Sequence, residues 1–471
     1  LENYKYRKFF FKIEDYTHRY PTCWRCKTEL VWRVVDEWYI SMDKIRKPLA
    51  EITKKINWIP SFGRERELDW LKNMRDWLIS KKRYWGLALP IFECQKCGNF
   101  EVIGSKEELK ERAVEGWDKF DGNSPHRPWV DNVKIKCPKC GEIISRIKDV
   151  GNPWLDAGIV PFSTIKYFED KNYWKKWFPA ELVCESFPGQ FKNWFYSLLV
   201  MSAVLENKNP METIFGYASV RDEKGEEMHK SKGNAIWFDD AVEKIGADPM
   251  RWLYARQNPA ENLGFGYNVA EETKRKLMTL YNSYVFFSTY VKKEELSEEL
   301  LEAKSNNILD KWIVAAINRL IGSAKLLDKY DVAKVVLVME DFFINDLSLW
   351  YIRRSRKRFH EESRERNKAI ATLYYVLLNF TKLIAPIMPF FAEEMYQGLK
   401  AGNMPESVHL CSWPEFDKNK IDKGLEEKME EVRFFVSLSL AERTAKGIKV
   451  KQPLALLKIK NEKSKIKNDK E

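Results

Sequence analysis

Six of the eight cysteines fall into three C-x-x-C pairs: Cys23/Cys26, Cys94/Cys97 and Cys137/Cys140. Two pairs stand in ECQKCGNF and KCPKCGEI, where the glycine after the second Cys lets backbone NH groups turn toward sulfur. Four thiolates from two such knuckles complete a tetrahedral shell for Zn²⁺. No coordination position then stays open, so the role is structural. A disulfide framework fits a large chain without a secretion signal poorly. The pair in YPTCWRCKTEL has no second pair to face it. It reads as a half-site, either missing its other half or completed by His18 and one further residue. The single Cys184 and Cys411 are expected to be buried.

Polar groups suited to a small anionic or zwitterionic ligand gather in three other stretches: VGNPWLDAG, ELVCESFPGQFKNW and GEEMHKSKGN. Glu185 could take up an ammonium group, and Gln190 could hydrogen-bond a sugar hydroxyl or an amide. Asp156, two residues after Trp154, is a second carboxylate in a comparable setting. Each alone serves equally well as a helix cap or a solvated loop residue. The third stretch puts two ammonium groups, a hydroxyl and a Gly-Asn hinge in one short loop. That is a phosphate clamp or a solvated turn.

The elements around these residues alternate strand and helix. An amphipathic helix is predicted around Glu67–Asp76, then an apolar strand, LALPIF, then the knuckles as an insertion. ELVCES reads as a strand, followed by a polar loop and a helix from about Asn193. A further strand is predicted around Ile214–Val220. This is the layout of an α/β sheet, whose ligands sit at the carboxyl ends of its strands. After GADPMRWLYARQNP the texture changes to long amphipathic helices with apolar residues at spacings of three and four, which predicts a helical bundle. One of them, WYIRRSRKRF, sets Arg353, Arg354, Arg356, Lys357 and Arg358 beside Trp350 and Tyr351. These types suit phosphate contact and base stacking, although a helix end favoured by its macrodipole has the same composition.

A net charge of +11 favours an anionic partner. Aromatics at 14 % and hydrophobics at 44 % exclude a disordered polymer. The longest apolar run, ATLYYVLLNF, is followed by Thr381 and Lys382, so no bilayer span is expected. The Lys-rich run from about 459 is expected to be loose.

RDWLISKKRYWG, the knuckle insertion, WLDAG, ESFPGQFKNWFYSLL and MHKSKGN stand in the order found in class I aminoacyl-tRNA synthetases. They resemble the branch that handles branched aliphatic amino acids. WLDAG is similar to that branch's W-F-D-S-G motif, and MHKSKGN to its K-M-S-K-S loop. The resemblance implies that this loop closes on ATP phosphates and that its second Lys, here Lys230, stabilises charge while the amino acid attacks the α-phosphate. Glu227 stands where the family has the first Lys and His229 where it has the first Ser. Half of the cationic clamp is therefore changed, and Lys232 is the candidate to compensate. Trp154, Asp156, Glu185, Gln190, His229, Lys230, Ser231 and Lys232 are the implied ATP and adenylate contacts. ESFPGQ carries one residue more than the commoner E-G-x-D-Q form.

DLSLWYIRRSRKRF is similar to the tRNA-contacting helix of that branch. SVHLCSWP with AERTAKGIKVKQPL resembles the isoleucyl-tRNA synthetases, with valyl enzymes second. The fold implied is a partial Rossmann-type catalytic core with a zinc-knuckle insertion, then an all-α anticodon-binding bundle. The implied organisation is 1–56 as the exit of an editing insertion, 57–270 as the catalytic core with its zinc module at about 91–150 and signature loop at 227–234, 271–425 as the bundle, and 426–471 as the start of a C-terminal region. ATP with Mg²⁺, L-isoleucine and tRNA(Ile) are the implied partners of a cytoplasmic enzyme that is monomeric at full length. The family's H-I-G-H tetrad is not among these residues, and the acidic, threonine-rich part of the editing insertion is also absent. The expectation is a C-terminal portion that is inactive alone. A zinc-stabilised tRNA-binding module without catalysis, or a generic zinc-dependent nucleic-acid protein, fits the same knuckles and basic helix.

Overall fold

The segment β1 (Asn57–Ile59), a short β-branched and aromatic run closed by Pro60, is one edge of a three-stranded parallel sheet in this computed structural model. The middle strand is β3 (Met211–Tyr217) and the other edge is β2 (Ala180–Ser186). In register, Glu185 lies opposite Gly216, Ser186 opposite Tyr217, and Phe215 opposite Ile59. The order β2-β3-β1 forces crossovers, as parallel pairing requires. The structure describes residues 12, 14–23, 26–302, 305–360, 363–456 and 458; the Lys-rich terminal run lies outside them.

Two units are resolved by internal contacts: Leu1–Lys55, Arg66–Pro179 and Phe191–Pro210 form one, and Ile56–Glu65, Ala180–Gln190 and Met211–Glu471 the other. The sheet belongs to the second. Phe187, directly after β2, packs under Gly216 and Gly63. A Cβ on Gly216 would stand 1.7 Å from its ring, and one on Gly63 2.6 Å. Glycine at these two positions leaves the room that the Phe187 ring occupies directly after Glu185 and Ser186.

The helical part of the second unit is built on α4 (Tyr267–Tyr290), α5 (Ile308–Ser323), α6 (Val332–Asp341), α7 (Arg353–His360), α8 (Arg364–Ile384) and α9 (Lys423–Ala445). Earlier in the chain lie α1 (Phe62–Asn73), α2 (Pro153–Ser163) and α3 (Trp194–Leu205). Trp312, Phe343, Tyr351, Leu373, Tyr374 and Phe380 anchor one continuous apolar core in the bundle. The strongest surprise there is residues 342–352, which form a π-helix joining α6 to α7.

In the first unit, two antiparallel ladders carry the knuckles. One pairs Ile91–Glu93 with Phe100–Val102, and the other pairs Lys134–Lys136 with Ala113–Glu115 and Ile143–Ser145. Phe92, Phe120, Val133 and Ile135 fill the core between them. Pro153 at the first turn and the Asn152 side chain, accepting from Trp154 N, start α2. Gly158 lets α2 lie against α3, since a Cβ there would stand 2.6 Å from the Ser197 carbonyl oxygen.

Several boundaries differ from the sequence reading. The helix expected around Glu67–Asp76 runs from Phe62 to Asn73, because Pro60 and Ser61 supply its start. Of LALPIF only Ile91 and Phe92 join a strand; Pro90, with no NH to donate, keeps the rest out. The strand expected at Ile214–Val220 is β3, which begins at Met211 and ends at Tyr217. Cys184 is exposed rather than buried in a core, and Cys411 is half-buried.

Candidate functional site

The four thiols of Cys94, Cys97, Cys137 and Cys140 lie within 4.8 Å of one another. Cys94 and Cys140 stand 3.5 Å apart at sulfur, and Cys97 and Cys137 3.6 Å. Tetrahedral Zn²⁺ with bonds of about 2.3 Å needs sulfurs about 3.8 Å apart, so the set fits that ion. Both knuckles have the same backbone. The first Cys NH donates to the carbonyl five residues on, at 2.8 Å, and the glycine NH returns to the first Cys carbonyl at 2.9 Å. Gly98 and Gly141 sit at φ of 69° and 73°. The backbone NH of Cys97 draws the Cys94 thiol below its ordinary pKa against the opposing effect of burial.

Cys23 and Cys26 repeat this turn: Cys23 NH donates to Thr28 O at 2.8 Å and Lys27 NH to Cys23 O at 2.8 Å. Lys27, at φ 62°, takes the place of glycine. Thr28 Oγ1 lies against the Cys26 sulfur and is the main cause that lowers its pKa to about 7. The pair is therefore folded as half of a metal site. The expectation that His18 completes it is corrected: His18 Nδ1 faces the Arg19 carbonyl, and among the described residues the one cluster of three or more metal-ligand groups is the four-Cys set.

At the carboxyl end of the parallel sheet, Glu185 Oε1 accepts from its neighbour Ser186 N at 2.7 Å and from Tyr217 OH at 3.1 Å. Partial burial, and then the Glu185 carboxylate, push the Tyr217 phenol up to about 12. Tyr217 was not anticipated; parallel pairing of β2 with β3 brings it to Glu185, and no sequence spacing reports that. Gln190 closes the helical turn Phe187–Gln190 that follows β2. In the first unit, Trp154 lies in the first turn of α2 and Asp156 on the exposed side of the same helix. Desolvation raises the Asp156 carboxyl, with His126 pulling the other way.

The loop GEEMHKSKGN is braced rather than open. Asn234 accepts from His229 N at 2.9 Å and donates to Asp222 Oδ2 at 2.9 Å and to Glu227 O at 3.2 Å. Glu227 pairs with Arg221 at 3.6 Å and stands 3.4 Å from His229 Nε2. Glu227 thus has an anchoring partner of its own in Arg221. Lys230 and Lys232 lie in a 3₁₀ turn ended by Gly233 at φ 72°. Lys230 Nζ rests 4.1 Å from the Trp237 ring centroid, while Lys232 is exposed. The side chain of Ser231 lies outside what the structure describes.

The basic helix needs two corrections. Trp350 is buried, its Nε1 donating to the Met429 sulfur at 3.1 Å and its ring covered by the Arg354 guanidinium at 3.7 Å. It has no face to offer a base. Arg358 is bidentate to buried Asp310, with both bonds at 2.8 Å, and Tyr351 OH donates to the same carboxylate. It is a core ion pair rather than a phosphate contact. Arg353, Arg354, Arg356 and Lys357 remain exposed.

Residues 5–265 match the family tRNA synthetases class I (I, L, M and V), and residues 310–459 match the anticodon-binding domain of tRNA ligase. An isoleucine–tRNA ligase of Clostridium tetani is 40 % identical over 461 residues, covering 94 % of this chain and 43 % of that protein. One of Thermus thermophilus is 38 % identical over 470 residues, 97 % of this chain and 44 % of that one. The chain therefore spans less than half the length of these curated relatives. Among solved structures, Mycobacterium tuberculosis methionyl-tRNA synthetase bound by methionyl-adenylate superposes with a TM-score of 0.55 at 15 % identity, covering 79 % of this chain and 65 % of that one. The LeuRS–tRNA–LeuAMS ternary complex of Agrobacterium radiobacter gives 0.53 at 17 % identity, covering 74 % and 43 %. With a parallel sheet, a four-thiol knuckle module and a helical bundle in this order, the chain belongs to the class I tRNA synthetases.

Proposed function

We propose that this chain is the C-terminal portion of an isoleucine–tRNA ligase, which activates isoleucine with ATP and transfers it to tRNA(Ile) during translation. The observation that carries the reading is the braced loop, which holds Lys230 and Lys232 in one turn just after the parallel sheet's middle strand. In this reading Lys230 leaves the Trp237 ring to stabilise negative charge on the α-phosphate of Mg²⁺-bound ATP. Lys232 supplies the second cation that Glu227 cannot. Glu185, oriented by Tyr217, receives the amino group of the adenylate, and Gln190, His229 and Ser231 line the same ligand. Trp154 and Asp156 are assigned to it by the W-F-D-S-G resemblance alone.

Cys94, Cys97, Cys137 and Cys140 would hold Zn²⁺, which ties the two ladders together and takes no part in the chemistry. Cys23 and Cys26 would ligate a second ion once two further ligands are supplied. Arg353, Arg354, Arg356 and Lys357 contact tRNA phosphates. The full-length enzyme is a cytoplasmic monomer in this reading; among the described residues no helix is long and apolar enough to cross a membrane. A valyl-type enzyme is the second choice of substrate, and a non-catalytic zinc-stabilised tRNA-binding module the second choice of class.

Two assays test it. Filter binding of the chain to isoleucine, valine and leucine tRNAs should favour the first, and equal retention of all three would overturn the assignment. ATP–pyrophosphate exchange with isoleucine should be absent for this polypeptide alone. Exchange at the rate of a full-length enzyme would show that the upstream half is dispensable.

A further inference from the structure

The first unit holds two large rings out to solvent, each backed by a basic group. Tyr84 is 60 % and Trp85 70 % exposed. The Arg127 guanidinium lies 4.7 Å from the Tyr84 ring centroid, and the His126 ring lies 5.1 Å from that of Trp85 at an interplanar angle of 10°. These backing groups are fixed. Arg127 Nε donates to Asp131 at 2.8 Å, and a terminal nitrogen donates to the carbonyls of Lys148 at 3.0 Å and Arg83 at 3.4 Å. Asp131 is gripped in turn by Arg146, whose side chain is fully buried. His126 shares a hydrogen bond with Ser124. The loop that carries them lies between Phe120 and Val130, both in the core of the four-thiol module.

Each ring thus has one face occupied and the other turned to water, and neither must be ordered when a flat ligand arrives. Lys82 is paired with Asp149 at 3.0 Å, while Arg83 and Lys148 are exposed beside the rings. The carboxylate that acts on His126 is Asp156, on the exposed side of α2. A protein partner laid over this patch would bury Arg83 and Lys148 and would have to pair them. Stacked bases leave their phosphates at the rim, where those cations stand.

We propose that Tyr84 and Trp85 form a two-base stacking platform for a single-stranded RNA segment, with Arg83 and Lys148 on its phosphates. The proposal deepens the tRNA reading by giving the first unit a single-stranded part of that substrate, and it rests on that reading only for the identity of the RNA. The test is fluorescence anisotropy of the whole zinc-loaded chain with a labelled eight-nucleotide single-stranded RNA and with its blunt duplex. The single strand should bind more tightly. Tyr84→Ala and Trp85→Ala should each weaken it by about tenfold, Trp85→Phe should retain most of the binding, and Arg83→Glu should flatten the salt dependence. Circular dichroism and zinc content should match the parent, because both rings are exposed. Unchanged affinity in both alanine variants, or equal binding of the duplex, would overturn the platform. So would weakened binding accompanied by loss of zinc. Loss of tRNA selectivity in the filter assay with the oligonucleotide results intact would remove the tRNA reading and leave the platform standing.

Discussion

Glu67 is a carboxylate that the fold treats as a burden, and replacing it should stabilise the first unit. Its side chain is fully buried, and neither oxygen has a hydrogen-bond partner. The indole Nε1 of Trp70, one turn along α1, is likewise unsatisfied, and the Tyr196 ring packs 5.9 Å from that of Trp70. Burial alone pushes the Glu67 carboxyl well above its ordinary pKa. The folded state therefore keeps a proton that the unfolded chain releases near its ordinary value of 4.5. The stability that goes with the neutral form is complete below that pH and is lost as pH rises toward the folded value. Within that window the slope is about 1.4 kcal/mol per pH unit. Leaving a buried acceptor unsatisfied costs a further 1–3 kcal/mol or so. Glu67→Leu removes both costs at nearly constant volume, whereas Glu67→Gln removes the pH slope and leaves an orphaned amide. At neutral pH the Leu variant should melt about 2–4 °C higher for each kcal/mol recovered. The assay is differential scanning fluorimetry of the three proteins from pH 5 to 8. A Leu variant that melts lower than the parent, or parallel pH profiles for parent and Gln, would refute the reasoning and mean that the carboxylate has a partner.

Three further outcomes follow from contacts already described. Chelation of the metal, or Cys137→Ser, should abolish binding of about one Zn²⁺ per chain and loosen the two ladders; elemental analysis with hydrogen exchange over 91–147 reads both. Arg358→Ala should cost about 3–5 kcal/mol, since it leaves Asp310 charged and buried, whereas Arg356→Ala should stay within about 0.5 kcal/mol in stability and weaken tRNA retention. Urea melts beside filter binding separate the two, and matching melts would show that the ion pair is worth nothing. Asn234→Ala removes three hydrogen bonds that brace the signature loop, so proteolysis at 227–234 should speed up with the global melt unchanged; an unaltered cleavage rate would mean that the Glu227–Arg221 pair alone holds the loop.

The elements that were legible in the sequence are those whose determinants are local. C-x-x-C-G dictates its own turn, so both knuckles could be read from spacing, and the strands and helices flanking ESFPGQFKNW follow from composition. What escaped was set by pairing across the chain. Tyr217 reaches Glu185 only because β2 and β3 are parallel and in register at Ser186 and Tyr217. The burial of Glu67 is not legible in its own helix, because Tyr196 of α3, more than a hundred residues away in sequence, lies against it and Trp70. Cys184 is expected inside, as single cysteines usually are, but no side chain of β2 is fully buried and Cys184 is exposed. The third C-x-x-C pair was harder to judge without glycine after its second Cys. Lys27 adopts the left-handed conformation in its place and pays the strain that Gly98 and Gly141 avoid.

The basic helix shows most clearly why counting charges misleads. An α-helix takes 3.6 residues per turn, so a repeat of four drifts steadily around its surface. A π turn, bonded i to i+5, takes more than four and drifts the other way. From α6 through residues 342–352 into α7, the buried side chains Phe343, Leu347, Tyr351, Ser355 and Phe359 recur at intervals of four. The π segment offsets the α drift, so this stripe stays against the core for the whole length. Arg353, Arg354, Arg356 and Lys357 then fall off the stripe and face water. Arg358 sits at its margin, close enough to reach Asp310. An unbroken α-helix would have turned α7 as a whole about its axis relative to Phe343 and Leu347 and brought other residues of RRSRKRF against the core, so the outward cations and the buried ion pair share one cause.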